Sequence, residues 1–77
     1  MEIKILGTGC PKCKALERIT RDVIAENGID ATVSKVEEIM EIVKFGVMMT
    51  PALVVDGKVV LKGRIPSKEE VKQLLTT

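Results

Sequence analysis

The sequence has few of the residues on which many functions depend. It contains one aromatic residue, Phe45, no histidine and two cysteines. No basic run interleaved with aromatic residues occurs, and the net charge is only +1, so nothing indicates a surface that binds nucleic acid. A closed structural zinc site needs four ligands, and with two cysteines and no histidine it would require carboxylates or a second chain.

Long apolar stretches are also missing. No run approaches the roughly 18 residues that a membrane-spanning helix needs, so we expect no membrane contacts. The N-terminus shows no charged leader followed by an apolar region and a cleavage site, which would indicate secretion. We therefore expect a cytoplasmic location.

Aliphatic residues, by contrast, are plentiful. Apolar residues make up 45% of the 77 positions, and most of them are Ile, Val and Leu. This composition is typical of a tightly packed α/β core and argues against disorder. The length suits one domain over residues 1–77. We expect that domain to be a monomer.

The two cysteines, Cys10 and Cys13, are separated by two residues. A disulfide between them would close too short a loop to restrict the unfolded chain, so the pair is a poor structural staple. A catalytic or metal-binding pair is the better interpretation. An apolar run typical of a strand precedes the pair, and an amphipathic run with helical spacing follows it. The pair therefore lies on a strand-to-helix turn, which Gly7 and Gly9 allow to pass close to the sulfurs.

This position has chemical consequences for Cys10. Pro11 suits the first position of the helix, where its missing N–H is not needed. Unpaired backbone N–H groups and the positive end of the helix dipole point at the Cys10 sulfur and favour the reactive thiolate. Lys12 and Lys14 add positive charge that would favour thiolate further; an equally good interpretation is that they are solvated lysines of the helix.

Periodicity and turn residues predict the element order βαβαββα. The predicted strands are Glu2–Leu6, Asp30–Val36, Ala52–Val55 and Val59–Leu61, and the first two predicted helices are Pro11–Asn27 and Glu37–Lys44. The first two strands should be parallel, because they form a right-handed strand–helix–strand unit. Gly28 is suited to end the first helix in a left-handed conformation.

The C-terminal third has its own local signals. Asp56-Gly57 predicts a two-residue hairpin turn. Ser67 with Glu70 fits a capping box for a last helix. Three apolar residues of that helix would face inward: Val71, Leu74 and Leu75.

The second helix is too apolar for one narrow buried stripe. It should be well covered, or its exposed edge should be part of a contact surface. The residues responsible are Ile39, Met40, Ile42 and Val43.

The chain resembles the thioredoxin superfamily in two linked motifs. The first is Cys-Pro-Lys-Cys after the first strand, and the second is Thr50-Pro51 before a hairpin with the sequence Ala-Leu-Val-Val-Asp-Gly. The chain is most similar to the small, glutaredoxin-sized thioredoxins of archaea and some bacteria. A lone CxxC is a weak motif, but in this element order and joined to Thr-Pro before a hairpin it is specific. The resemblance covers nearly the whole chain. It implies an α/β thioredoxin fold, a four-stranded mixed sheet flanked by three helices.

The resemblance implies a thiol–disulfide oxidoreductase that reduces protein disulfides. Cys10 would be the exposed nucleophile and Cys13 the buried resolving thiol. The Cys10–Cys13 disulfide would be the redox group, with no further cofactor. The partners would be client proteins with disulfides and a thioredoxin-reductase-like or other electron donor. The active-site loop would include Thr8, Gly9, Pro11 and Lys12.

The resemblance also assigns roles to the residues just before the third strand. Pro51 would be a cis-proline that packs beside the disulfide and keeps a metal from settling on the sulfurs. The backbone of Thr50 would pair with an extended segment of the substrate. Met49, Met48 or both would form an apolar rim that substrates touch.

Three positions depart from the family pattern. Full-size thioredoxins usually have Trp before the first Cys, where this chain has Gly9. They also have a buried Asp six residues before the nucleophile that helps to move protons; here that position is Lys4, which is better interpreted as a solvent-facing strand residue. Residues 63–67 lack the pattern with which glutaredoxins hold glutathione, which argues against glutathione as the obligate donor.

Two other classes of protein share some of these features. Small Cu(I) or Zn(II) carrier domains also place a CxxC between a first strand and helix, and soft thiolates suit these ions. Such domains, however, run βαββαβ and usually have Met two residues before the first Cys, where this chain has Thr8. The other alternative is an interaction module with incidental cysteines and an adaptable surface of Met40, Met48 and Met49.

Overall fold

A computed structural model describes residues 1–76 and has the predicted order βαβαββα. The strands are β1 (Glu2–Leu6), β2 (Thr32–Val36), β3 (Ala52–Val55) and β4 (Lys58–Lys62). The helices are α1 (Pro11–Asn27), α2 (Ile39–Lys44) and α3 (Lys68–Thr76). The bounds of β1, α1 and β3 are those that the sequence predicts. None of the helices within residues 1–76 is both long and apolar enough to cross a membrane.

Four predicted boundaries, in three elements, were wrong by one or two residues. Strand β2 begins at Thr32 rather than Asp30, because Thr32 is opposite Glu2, where β1 begins. Helix α2 begins at Ile39 because Glu38 is its N-cap and has an extended backbone. Strand β4 extends one residue further at each end than predicted, since both of its terminal lysines pair with β3.

The sheet has the strand order β2-β1-β3-β4. Strands β1 and β2 are parallel, as predicted, whereas β3 is antiparallel to both of its neighbours. The left-handed residues Asp56 and Gly57 form the turn between β3 and β4, which confirms the hairpin. The sheet is therefore mixed, and the fold is the four-stranded α/β thioredoxin arrangement.

Each face of the sheet has its own apolar cluster. Alternation along β1 sends Ile3 and Ile5 to one face and Leu6 to the other. The larger cluster adds residues of α1 and α3: Leu16, Val23, Val71 and Leu75. The smaller cluster joins Leu6 to Ile42, Val47, Ala52 and Val54. Helices α1 and α3 thus cover one face, and α2 with its following loop covers the other.

The ends of α1 and α3 follow the local signals. Gly28 has φ 60° and ends α1 in the left-handed conformation. At the start of α3, the backbone N–H of Glu70 donates to Ser67 Oγ at 3.1 Å. The Glu70 carboxylate, however, binds the Arg64 guanidinium, so only half of the predicted capping box forms. Of the three residues predicted to face inward, Val71 and Leu75 are buried and Leu74 packs half-buried against the same cluster.

Candidate active site

The two cysteines lie where β1 passes into α1, as the sequence predicts. Cys10 is the N-cap of α1 and Pro11 its first residue. Cys10 and Cys13 form a disulfide with their Cα atoms 5.1 Å apart. The Cys13 N–H, one of the free donors of the first turn, donates to Cys10 Sγ at 3.2 Å. Cys13 is only 5% exposed, whereas Cys10 is half-buried, so Cys10 is the more accessible of the two residues.

The two glycines of the preceding turn have different tasks. Gly9 has φ 87°, a conformation that side chains disfavour. Gly7 is buried, and its N–H donates to the Val36 carbonyl at 2.9 Å. A Cβ on Gly7 would overlap Cys13 Sγ. Gly7 is therefore the residue that lets the strand end lie directly against the buried sulfur.

The segment before β3 faces the same end of the sheet. The Thr50–Pro51 peptide bond is cis, as the resemblance implied. Pro51 is buried and its carbonyl accepts a hydrogen bond from the Gly63 N–H at 2.8 Å, whereas Thr50 is exposed. Thr8, from the cysteine loop, and Thr50 line one groove. The fold therefore brings together the two segments that are 40 residues apart in the sequence.

This groove has a volume of about 320 Å³ and is mainly apolar. Besides Thr8 and Thr50 it is lined by Ile39, Ile42, Val43, Val47 and Met48. Met48 is 88% exposed, and Met49 is 59% exposed and packs against Gly63 instead. Of the two predicted rim residues, the structure thus places Met48 in the groove lining and Met49 outside it, next to Gly63. Three of the apolar residues of α2, Ile39, Ile42 and Val43, form one wall of the groove.

Lys4 lies away from the sulfurs. On β1 it alternates with Ile3 and Ile5 and so lies on the α2 side of the sheet. Its ammonium is 3.5 Å from Glu2 and 5.4 Å from the centre of the Phe45 ring. With a third of its side chain exposed, it is the partly solvent-facing strand residue that the sequence suggests.

A second, small cavity lies behind the buried sulfur. It has a volume of about 40 Å³ and is bordered by Cys13, by the loop glycines Gly7 and Gly9, and by Ile5. Four charged residues complete its wall: Lys14, Glu17, Lys35 and Glu37. Glu17, Lys35 and Glu37 are not among the site residues predicted from the sequence. Only Glu17 has a sequence signal, because it follows Cys13 by four residues and so lies on the same face of α1.

No group of three Cys, Asp or Glu side chains within residues 1–76 is arranged so that it could hold a metal ion. The chain also ends in a helix after the β3–β4 hairpin, and not in a strand. A disulfide at the N-terminus of a helix, together with a cis-proline next to the threonine that shares a groove with the cysteine loop, defines an α/β thiol–disulfide oxidoreductase.

Comparison with known proteins agrees with this class. The family model described as thioredoxin domain matches residues 1–76. The thioredoxin of Methanothermobacter thermautotrophicus is 43% identical over 76 residues, which cover 99% of each chain. The thioredoxin of Methanocaldococcus jannaschii is 42% identical over 73 residues, which cover 95% of this chain and 84% of that protein. This chain belongs to the thioredoxin family and is a thiol–disulfide oxidoreductase.

Proposed function

We propose that this protein reduces disulfide bonds of client proteins in the cytoplasm as a monomer of one domain. Cys10 is the nucleophile, Cys13 is the resolving thiol, and their disulfide is the only redox group. The observation that supports these roles is the difference in exposure: Cys10 caps α1 and is half-buried, whereas Cys13 is only 5% exposed. A client sulfur reaches Cys10 first.

The reaction has two steps. The Cys10 thiolate attacks one sulfur of the client disulfide, the client S–S bond breaks, and the other client sulfur leaves as a thiolate. Cys13 then loses its proton and attacks Cys10 Sγ. The Cys10–Cys13 bond forms, and the second client sulfur leaves with its electron pair. The client has gained two electrons, and a thioredoxin-reductase-like or other dithiol donor reduces the Cys10–Cys13 bond to close the cycle.

The start of α1 supports the nucleophile. In the reduced protein, the Cys13 N–H that lies 3.2 Å from Cys10 Sγ would stabilise a thiolate there. The positive end of the helix dipole acts in the same direction. Lys12 and Lys14 are exposed, so solvent and salt screen their charges, and we assign them a minor part. Gly9, Pro11 and Thr8 shape the loop that presents the sulfur.

The groove between the cysteine loop and the segment before β3 is the place where we expect clients to bind. An extended client segment would run along the exposed backbone of Thr50, with Pro51 beneath it. Its apolar side chains would contact Met48 and the exposed residues of α2, Ile39 and Val43. We assign Met49, which lies next to Gly63 outside the groove lining, the smaller part in client contact. Because these contacts are apolar and adaptable, they suit clients of varied sequence.

The experiment that tests this function follows the reduction of a protein disulfide with dithiothreitol as donor. Wild type should catalyse well above background, Cys10→Ser should be inactive, and Cys13→Ser should accumulate a mixed disulfide with the client. Catalysis that survives in Cys10→Ser would overturn the assignment of the nucleophile. Absence of catalysis in wild type, together with tight binding of one Cu(I) ion per chain, would favour the metal carrier.

A further inference from the structure

The small cavity behind Cys13 places charged side chains next to a thiol that must ionise. Cys13 is 5% exposed, and burial away from water disfavours a thiolate. Because only the thiolate attacks a disulfide, the proton of Cys13 must leave during the resolving step. Direct transfer to bulk water is hindered, since Gly7 lies directly against the sulfur on one side.

Of the two carboxylates at the cavity, Glu17 is the one best positioned to accept the proton of Cys13. It follows Cys13 by one turn on the same face of α1, and its side chain is 20% exposed. One carboxylate oxygen accepts a hydrogen bond from Arg21 Nε at 3.0 Å, and the other lies 3.8 Å from Lys35 Nζ. These two cations come from α1 and β2, and together they fix the carboxylate at the wall of the cavity.

Glu37, the other carboxylate at the cavity, differs from Glu17 in its exposure and in its position in the fold. It is exposed and lies outside both β2 and α2. Its Oε2 would be 3.4 Å from a Cβ on Gly9, so it covers the loop and not the interior. It serves as the natural comparison for Glu17.

We propose that the Glu17 carboxylate accepts the proton of Cys13 through water in this cavity when Cys13 attacks the mixed disulfide. The volume of about 40 Å³ has room for at least one water molecule. The Cys13 S–H bond breaks, its proton goes to Glu17, the Cys10–Cys13 bond forms, and the client sulfur leaves as a thiolate. When the donor reduces the disulfide, the proton returns along the same route. The proposal rests on the roles given above to Cys10 and Cys13.

The charges around the cavity allow an experiment to distinguish Glu17 as a proton acceptor from Glu17 acting only through its negative charge. Lys14 and Lys35 balance Glu17 and Glu37, and Arg21 lies behind Glu17. Replacing Glu17 by Gln leaves an excess of positive charge, which on its own stabilises a Cys13 thiolate and accelerates the resolving step. Loss of a proton acceptor slows the same step. The two explanations therefore predict changes of opposite sign.

The test is stopped-flow reaction of the reduced protein with dithiobisnitrobenzoate, whose released thiolate is coloured and stable without a proton. Attack by Cys10 releases the first coloured thiolate, and attack by Cys13 releases the second. In Glu17→Gln the second phase should slow by about tenfold or more near pH 7, with the first phase unchanged. Near pH 10, where thiols ionise without help, the variant should approach wild type. Glu17→Asp should recover part of the rate.

Two control variants complete the design. Glu26→Gln makes the same change on α1 and also removes an ion pair, with Lys68, but it is remote from the cavity; both of its phases should match wild type. Glu37→Gln should have a much smaller effect than Glu17→Gln. An unchanged or faster second phase in folded Glu17→Gln, or slowing in Glu37→Gln alone, would overturn the proposal. Failure of the first phase in wild type would instead refute the role of Cys10.

Discussion

Gly7 and Cys13 lie so close together that a Cβ on residue 7 would overlap the sulfur of residue 13. The contact joins the end of β1 to the first turn of α1, and the Gly7 N–H also donates to the Val36 carbonyl at the end of β2. The position of the resolving sulfur therefore depends on the absence of a side chain six residues earlier.

Gly7→Ala should accordingly disturb both stability and chemistry. The added methyl group must displace Cys13 or the strand, which we expect to lower the free energy of unfolding by about 1–3 kcal/mol. Release of the second coloured thiolate should also slow. Urea unfolding and the stopped-flow assay measure the two effects.

Gly46→Ala is the control for Gly7→Ala. Gly46 has φ 76° and no atom within 4 Å of an added Cβ, so this variant carries backbone strain alone. It should lose stability and keep normal thiol exchange. Equal kinetics in the two variants would contradict the role given to the Gly7–Cys13 contact.

Met48→Ser should weaken capture of protein clients without unfolding the domain. Because Met48 is 88% exposed, the free energy of unfolding should change by no more than about 0.5 kcal/mol. The KM for a protein disulfide should rise severalfold, while reaction with dithiobisnitrobenzoate, which makes few contacts, should be unaffected. Met49→Ser should have the smaller effect, since Met49 packs against Gly63. Unchanged client kinetics in the double variant would refute the proposed rim.

The Arg64–Glu70 pair should make stability depend on pH in the acid range. The hydrogen bond from Arg64 holds the pKa of Glu70 below its ordinary value of 4.5. A carboxyl whose pKa is lower in the folded state contributes stability above its unfolded pKa and loses it as the pH falls through the folded pKa. The difference in stability between wild type and Glu70→Gln should therefore be constant above about pH 5 and shrink below about pH 4.

Urea unfolding across this acid range measures the effect of the Arg64–Glu70 pair. Glu69→Gln, a change at the neighbouring position of α3, is its control. A wild-type advantage over Glu70→Gln that persists undiminished at the acid end would show that the pair is not formed in solution.

Substitutions of Thr20, measured by urea unfolding, show whether its buried hydroxyl stabilises the core. Thr20 is 0% exposed, and its hydroxyl donates to the Leu16 carbonyl at 2.8 Å. That carbonyl already has its helical partner, so Thr20→Val should change the free energy of unfolding by less than about 1 kcal/mol. Thr20→Ser removes a buried methyl group and should cost about 1 kcal/mol. If Val proved the more damaging substitution, the hydroxyl would be the important group.

Much of the fold follows from signals that are local in the chain. Pro11 after Cys10 predicts where α1 begins, Gly28 where it ends, and Asp56-Gly57 where the hairpin turns. Each signal depends on the backbone preference of one or two residues, which neighbours in space do not change. The wrong boundaries have a different cause: β2 begins only where β1 offers a partner, and this depends on the register of another strand.

The sequence by itself determined the element order, the strand-to-helix turn that carries Cys10 and Cys13, and the family. Short patterns along the chain encode them: the apolar periodicity, the CxxC pair, and Thr-Pro before a hairpin. Only the tertiary structure decided that Met48 lines the groove, and that Glu17, Lys35 and Glu37 meet behind the buried sulfur. Those residues come from different elements, and their distances depend on how β1, β2 and α1 pack. The order of charged residues in the sequence does not give the distances between side chains of different elements.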